Sequence, residues 1–171
     1  MDAEVKTTKS DNTIQLKKKD LVKFKIIDED GKDTGEELVF DMGDVELPLR
    51  LQELVEKDKL ARANLRNKFL VIEKKQDHKG KKLLSSNEEE KIKAMSDFLK
   101  EEVEIYNMFL GENGVQKLLY GRSLSWDTLS EINDIITEVI TPKLDISLDN
   151  MTKRIKEKYS NAIKKEDKVL E

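Results

Sequence analysis

The stretch LVKFKIIDEDGKDTGEELVFDM, residues 21–42, decides how the chain begins to fold. Val22, Phe24 and Ile26 alternate with Lys23 and Lys25, and Leu38, Phe40 and Met42 alternate in the same way, which is the period-two pattern of half-buried strands. Two such runs around a Gly-containing connection predict a β-hairpin over 21–42. The connection, DEDGKDTGEE, also resembles the start of a calcium loop, so the two readings must be separated. An EF-hand loop needs oxygen ligands at its first, third and fifth positions, Gly at the sixth and a closing Glu at the twelfth. Counted from Asp28, those last three positions hold Lys32, Asp33 and Val39. A cation stands where a ligand is needed, and the flanks have strand periodicity. Asp and Gly are what a hairpin turn uses on its own account.

Outward from the hairpin the periodicity becomes helical. Pro48 suits the first turn of a helix, where its missing N–H leaves nothing unpaired. Leu47, Leu51, Leu54, Val55, Ala61, Leu65, Phe69 and Ile72 then recur at helical spacing over about 47–76, with a break or bend expected near Glu56–Lys59. Ser85 to Glu89 carry capping-box chemistry for a helix over 87–110 whose expected buried stripe is Ile92, Met95, Leu99, Val103, Tyr106 and Phe109–Leu110. Gly111 ends it, Asn113 with Gln116 is expected to cap a short helix over 114–120, and Gly121 stops that one. A helix over 124–140 brings Trp126, Leu129, Ile132, Ile135, Ile136, Val139 and Ile140 to the centre of the core and ends at Thr141-Pro142. A thinner stripe, Met151, Ile155, Tyr159 and Ala162–Ile163, marks a last helix over 148–163 that packs at the edge of the bundle or awaits a partner. The predicted architecture is mainly α: an arm over 1–19 and a tail over 164–171, both flexible, around one α-rich domain over 20–163 that opens with a small N-terminal β-hairpin and continues as a helical bundle.

Composition agrees. In 171 residues, 40% are charged and only 5% aromatic, with 7 Gly and 2 Pro, a balance that favours helices with wet, ion-paired faces. No cysteine is present, so disulfides, thiolate catalysis and Cys-based zinc sites are excluded. The N-terminal residues lack the apolar core of a signal peptide and no run is long enough to suggest a membrane span, so a soluble chain of the cytoplasm is expected, with no membrane partner. Charge is uneven. Nine acidic residues between Asp28 and Glu46 face a single Lys32, whereas the segment from Lys153 onward is net basic. Opposite ends of this kind can attract copies head to tail, although solvated charge is the plainer reading.

The inventory for chemistry is thin. The single histidine, His78, lies in a Lys-rich loop, the glycines form neither phosphate-binding pattern, and no carboxylate pair stands out among 36 acidic residues. No enzymatic activity, metal or cofactor is expected. A net charge of −4 also argues against nucleic acid as a partner.

Three stretches, in this order, resemble the tail assembly chaperones of tailed bacteriophages and prophages of Gram-positive bacteria with long non-contractile tails. They are VFDMGDVELPLRLQELVEK (39–57), MFLGENGVQKLLYGRSLSWDTLSEINDIITEVI (108–140) and KEKYS (156–160), together spanning roughly residues 20 to 160. The loop Leu110-Gly111-Glu112-Asn113-Gly114 is one residue longer than the Phe-Gly-x-Gly element common in that family. The resemblance implies a non-enzymatic chaperone that coats the tape measure protein until tail tube subunits polymerise around it, acts in the cytoplasm of the bacterial host and is absent from the mature virion. It further implies homo-oligomers, and a frameshifted longer form through which the major tail protein is recruited. A structural head–tail or tail-completion protein, or a small nucleic-acid-binding regulator, are the alternative readings. The residues expected to mediate self-association or client binding are Val22, Phe24, Ile26, Leu38 and Phe40 of the hairpin, Leu47, Leu49, Leu51 and Leu54 of the first helix, and Met151, Ile155 and Tyr159.

Overall fold

The computed structural model describes residues 16, 18–144, 153, 156 and 157. Most of the expected arm, the whole expected tail and the stripe residues Met151, Ile155 and Tyr159 lie outside the described residues. The order of elements is β1 (Leu21–Ile27), β2 (Asp33–Asp41), α1 (Leu47–Glu73), α2 (Ser86–Leu110), α3 (Gly114–Leu119), α4 (Trp126–Asp134), a π-helical stretch (Ile135–Ile140) and α5 (Thr141–Leu144). A mainly helical chain opening on a two-stranded antiparallel hairpin is therefore what the fold is.

In the hairpin Val22 pairs with Phe40 and Phe24 with Leu38, which places the alternating apolar residues on one face. The second strand begins at Asp33, earlier than its apolar alternation indicates, because Thr34 and Gly35 serve the ladder with other chemistry: the Thr34 hydroxyl donates to the Ile26 carbonyl at 2.8 Å, and Gly35 holds φ +77°. The turn between the strands is closed by its own aspartate. Asp28 Oδ1 accepts from the amides of Asp30 (3.0 Å) and Lys32 (2.8 Å), and Gly31 supplies φ +78°. Asp33 Oδ1 likewise accepts from Gly35 N–H, so Asp28 and Asp33 of the calcium-like pattern each have a carboxylate oxygen engaged by the backbone.

Three local devices set the helix starts. Asp44 accepts from the Glu46 amide and pairs with Arg50 at 2.6 Å, and that Arg50 hydrogen bond, with the backbone one from Glu46, holds its carboxyl below the usual range. Pro48 then enters the first turn of α1, which runs unbroken to Glu73; the expected break near Glu56–Lys59 does not occur, since those residues keep helical bonding, with Glu56, Lys57 and Lys59 exposed and Asp58 largely covered. The capping box of α2 forms between Ser85 and Glu88, and that of α4 between Ser125 and Thr128. Asn113 does not cap α3: it sits in the left-handed region, and Asn107 reaches over from α2 to accept from the Val115 amide at 2.8 Å. A cap drawn from a neighbouring helix has no local spacing by which to be recognised.

The core lies where the hairpin, the last turns of α2, α3, α4 and α5 meet. Phe40 stands between Phe24 (5.7 Å between centroids, edge-on) and Phe109 (5.4 Å), and Leu129, Ile132, Ile136, Ile140 and Leu144 are all buried. Several expected core residues are not. Val55, Ile92, Trp126 and Val139 are each more than a third exposed. On α2 the expected Tyr106, Phe109 and Leu110 are buried, whereas earlier in the helix the inward line is Ala94, Phe98, Glu102 and Ile105, rotated from the expected stripe, and Met95, Leu99 and Val103 flank it half-buried. The rotation was hidden because one of the inward residues is a glutamate.

The chain also passes Pro142 without ending its helix. Ile135–Ile140 is π-helical and the Thr141 N–H bonds back to the Ile136 carbonyl, five residues earlier. A proline inside an α-helix loses one bond and its ring meets the carbonyl four residues back, whereas a widened turn relieves that clash. The helical path therefore continues far enough to bury Leu144.

Candidate interaction surface

The best-formed polar cluster is internal. It joins α1, α2 and α4 around Glu102, which is completely buried and has no hydrogen-bond partner on either carboxylate oxygen. Burial first, and then the negative charge of Asp58, push its carboxyl up to about 8, so at neutral pH it is protonated. Asp58 in turn accepts from Arg62 Nε at 2.8 Å, and the Arg62 guanidinium lies 5.1 Å from the Trp126 ring centroid, with Trp126 stacked on Phe98. Tyr106, fully buried beside them, has its phenol pushed up by burial and by the nearby acids and reaches Asn133 at 3.4 Å. The clefts beside the hairpin turn, along the outer part of α1–α2 and at the β2–α1 corner are not lined by Glu102, Asp58, Arg62 or Tyr106. It has the character of a pin between three helices, not of a site that meets a substrate.

A 370 Å³ cleft lies between the hairpin turn and α3–α4. Its cation is engaged. Arg122 donates to Glu131 at 2.7 and 3.2 Å, to the carbonyls of Leu118 and Leu119, and lies 3.5 Å from Glu29, which fastens the acidic turn to the helices. Among the described residues no group of three or more His, Cys, Asp or Glu is arranged to hold a metal ion, and no helix is long and apolar enough to cross a membrane.

What remains open is the outer side of α1. The helix has 27 residues, about 40 Å at roughly 1.5 Å per residue. Leu47, Leu54, Ala61, Leu65 and Ile72 face inward and are buried. Opposite them stand Leu49, Leu60, Leu70 and Val71, each at least half exposed. Between Leu60 and Val71 the middle of this outer face carries Ala63, Asn64 and Asn67, with the exposed Arg66 as the charge on its edge, in a chain of which 40% is charged. A strip of that length with so little charge on so polar a body is a surface suited to another helix.

The expected contact residues divide accordingly. Ile26, Leu38, Phe40, Leu47 and Leu54 are buried in the core, and Val22, Phe24 and Leu51 pack against it half-buried, so the hairpin and the Leu47–Leu54 line are used within the fold. Of the described ones Leu49 alone is exposed, at 61%. The reason is physical: a two-stranded sheet needs a third layer to persist, and its apolar face has already taken α2 and α3 as that layer. Leu60, Leu70 and Val71 escaped notice because the spacing that marks them, Leu60-Ala63-Asn67-Leu70, lies on the far side of a helix whose inward line is richer in leucine. Comparison with family models, with curated proteins and with solved structures gave no match.

Proposed function

We propose that this chain is a tail assembly chaperone of a long-tailed bacteriophage or prophage, a non-enzymatic protein that binds the tape measure protein and promotes assembly of the tail tube in the bacterial cytoplasm. The observation that carries the reading is the row of exposed apolar residues along the outer side of α1, Leu49, Leu60, Leu70 and Val71, in a chain of which 40% is charged. A tape measure protein is a long helical chain with apolar faces, and an amphipathic helix is recognised by apolar anchors spaced about one turn apart. Leu60, Leu70 and Val71 offer such anchors without burying any charge, and the surrounding lysines and glutamates keep the complex in solution. Many modest contacts also allow the client to be given up when tube subunits arrive. Recruitment of the major tail protein belongs to a longer, frameshifted form in this reading, and the finished virion lacks the chaperone.

Co-expression with a tape measure protein of the same phage or prophage tests the proposal. The expected result is a soluble complex with the wild-type chain and an insoluble client with Leu60→Lys/Leu70→Lys, both variants keeping the wild-type far-UV spectrum. A client that stays insoluble beside the wild-type chain, or recovery of the chain as a component of purified virions, would overturn it.

A further inference from the structure

We infer that, before client arrives, the outer strip of α1 is covered by α1 of a second copy of this chain, running antiparallel. The inference rests on reading that strip as a helix-binding face, and it names what occupies the face at rest. On the side of α1 away from α2, Leu60, Ala63, Asn67 and Leu70 follow the three-four-three spacing of a coiled-coil seam, all four are exposed, and the one polar member is an asparagine, the residue that such seams use to fix register and partner number.

The seam is complementary to its own reverse. When two copies are aligned antiparallel about the middle of the strip, Leu60 meets the partner's Leu70 and Ala63 meets the partner's Asn67, pairing large with large and small with medium. One turn further out Glu56 meets the partner's Lys74, so each end of the contact carries opposite charges, while on the flank Lys59 approaches the partner's Glu73, whose carboxylate is already held at 2.8 Å by Lys91 of its own chain. A parallel alignment instead sets Glu56 against the partner's Glu56 and Lys74 against the partner's Lys74. Charge therefore selects the antiparallel arrangement. One opposition is unfavourable, Arg66 against the partner's Arg66 near the two-fold axis, and it keeps the pair weak enough for a client helix to displace.

Substitutions at five exposed positions test this without any client, each variant checked for wild-type helicity. By sedimentation equilibrium the full-length chain should dimerise, Glu56→Lys and Lys74→Glu should each weaken the dimer by about tenfold or more, and the two together should restore it. Arg66→Gln should tighten it. Because the chain has no cysteine, single cysteines report geometry directly: Leu60→Cys mixed with Leu70→Cys should cross-link under mild oxidation, and Leu60→Cys alone should not. A wild-type chain that is monomeric at about 100 μM, a dimer indifferent to Glu56→Lys, or Leu60→Cys cross-linking to itself as readily as to Leu70→Cys would each overturn the inference. None of these outcomes touches client solubility, on which the chaperone reading is judged separately.

Discussion

The two ends of the α1–α2 pair are built differently. Around the hairpin, the paired helices are covered by β1–β2, α3, α4 and α5, and most of the fully buried side chains among the described residues, Tyr106, Val115, Leu129, Ile132, Ile136, Ile140 and Leu144, are concentrated there. Beyond Arg62 on α1 and Phe98 on α2 the pair continues with little else: the buried apolar residues of this outer part are Leu65, Ile72 and Ala94. It is held by its rim instead, through Lys91–Glu73 and Lys75–Glu90 pairs and by Asn87, whose amide donates to the Ile72 and Lys75 carbonyls and so closes the end of α1. Exposed ion pairs stabilise little, so the covered end supplies the stability and the outer arm is free to offer surface. Stability and interaction have been separated along one helix.

The contrast can be broken most forcefully in the covered end. Phe40→Ala removes a ring packed between two others and should lower unfolding free energy by about 3–5 kcal/mol in urea titrations, whereas Ile72→Ala in the arm should stay near 2 kcal/mol. Equal losses would dissolve the distinction. Next in size is Glu102, at the border between the two regions. Its folded pKa near 8 lies above the ordinary carboxyl value of 4.5, so the folded state holds a proton that the unfolded chain releases. The stabilisation is complete below the unfolded value and is lost as pH rises toward 8, an effect on the order of a few kcal/mol. Glu102→Gln should flatten that decline and raise the melting temperature at pH 8; an unchanged pH profile would mean that Glu102 ionises freely in the fold.

Smaller effects sharpen the picture of the arm. Ser85→Ala removes the capping box of α2 and should cost about 1 kcal/mol, with faster amide exchange confined to the first turn of α2. Leu60→Lys should change unfolding free energy by less than about 0.5 kcal/mol, because its side chain is 62% exposed. Measured at a concentration where the chain is monomeric, so that self-association does not contribute, a large loss there would place Leu60 inside the fold and remove the outer strip as an interaction surface.

The hairpin and the helix starts were legible because their signals are local: strict alternation at Val22–Ile26 and Leu38–Met42, a capping box at Ser85–Glu88, turn chemistry at Asp28–Gly31. What was not legible depends on tertiary partners. Nothing distinguishes Glu102 from 35 other acidic residues until α1 and α4 close over it, and the cap of α3 comes from Asn107 rather than from the neighbouring Asn113. The same rule misplaced the contact surface. Apolar alternation announces burial, and in a chain with few aromatics the residues that stand out most are the ones the core takes first.

The π-helical stretch before Pro142 has a consequence for how this chain tolerates change in length. A π turn is in effect an α-helix with a residue inserted, and each residue added or removed rotates everything after it by about 100°. Deleting one residue within Ile135–Ile140 would restore regular α-geometry locally, and it would also swing Leu144 out of the core and return the Pro142 ring to the carbonyl it now avoids. Single-residue deletions that the exposed 79–83 stretch should tolerate would therefore be disabling here, and the helix would be less tolerant of them for having become more regular.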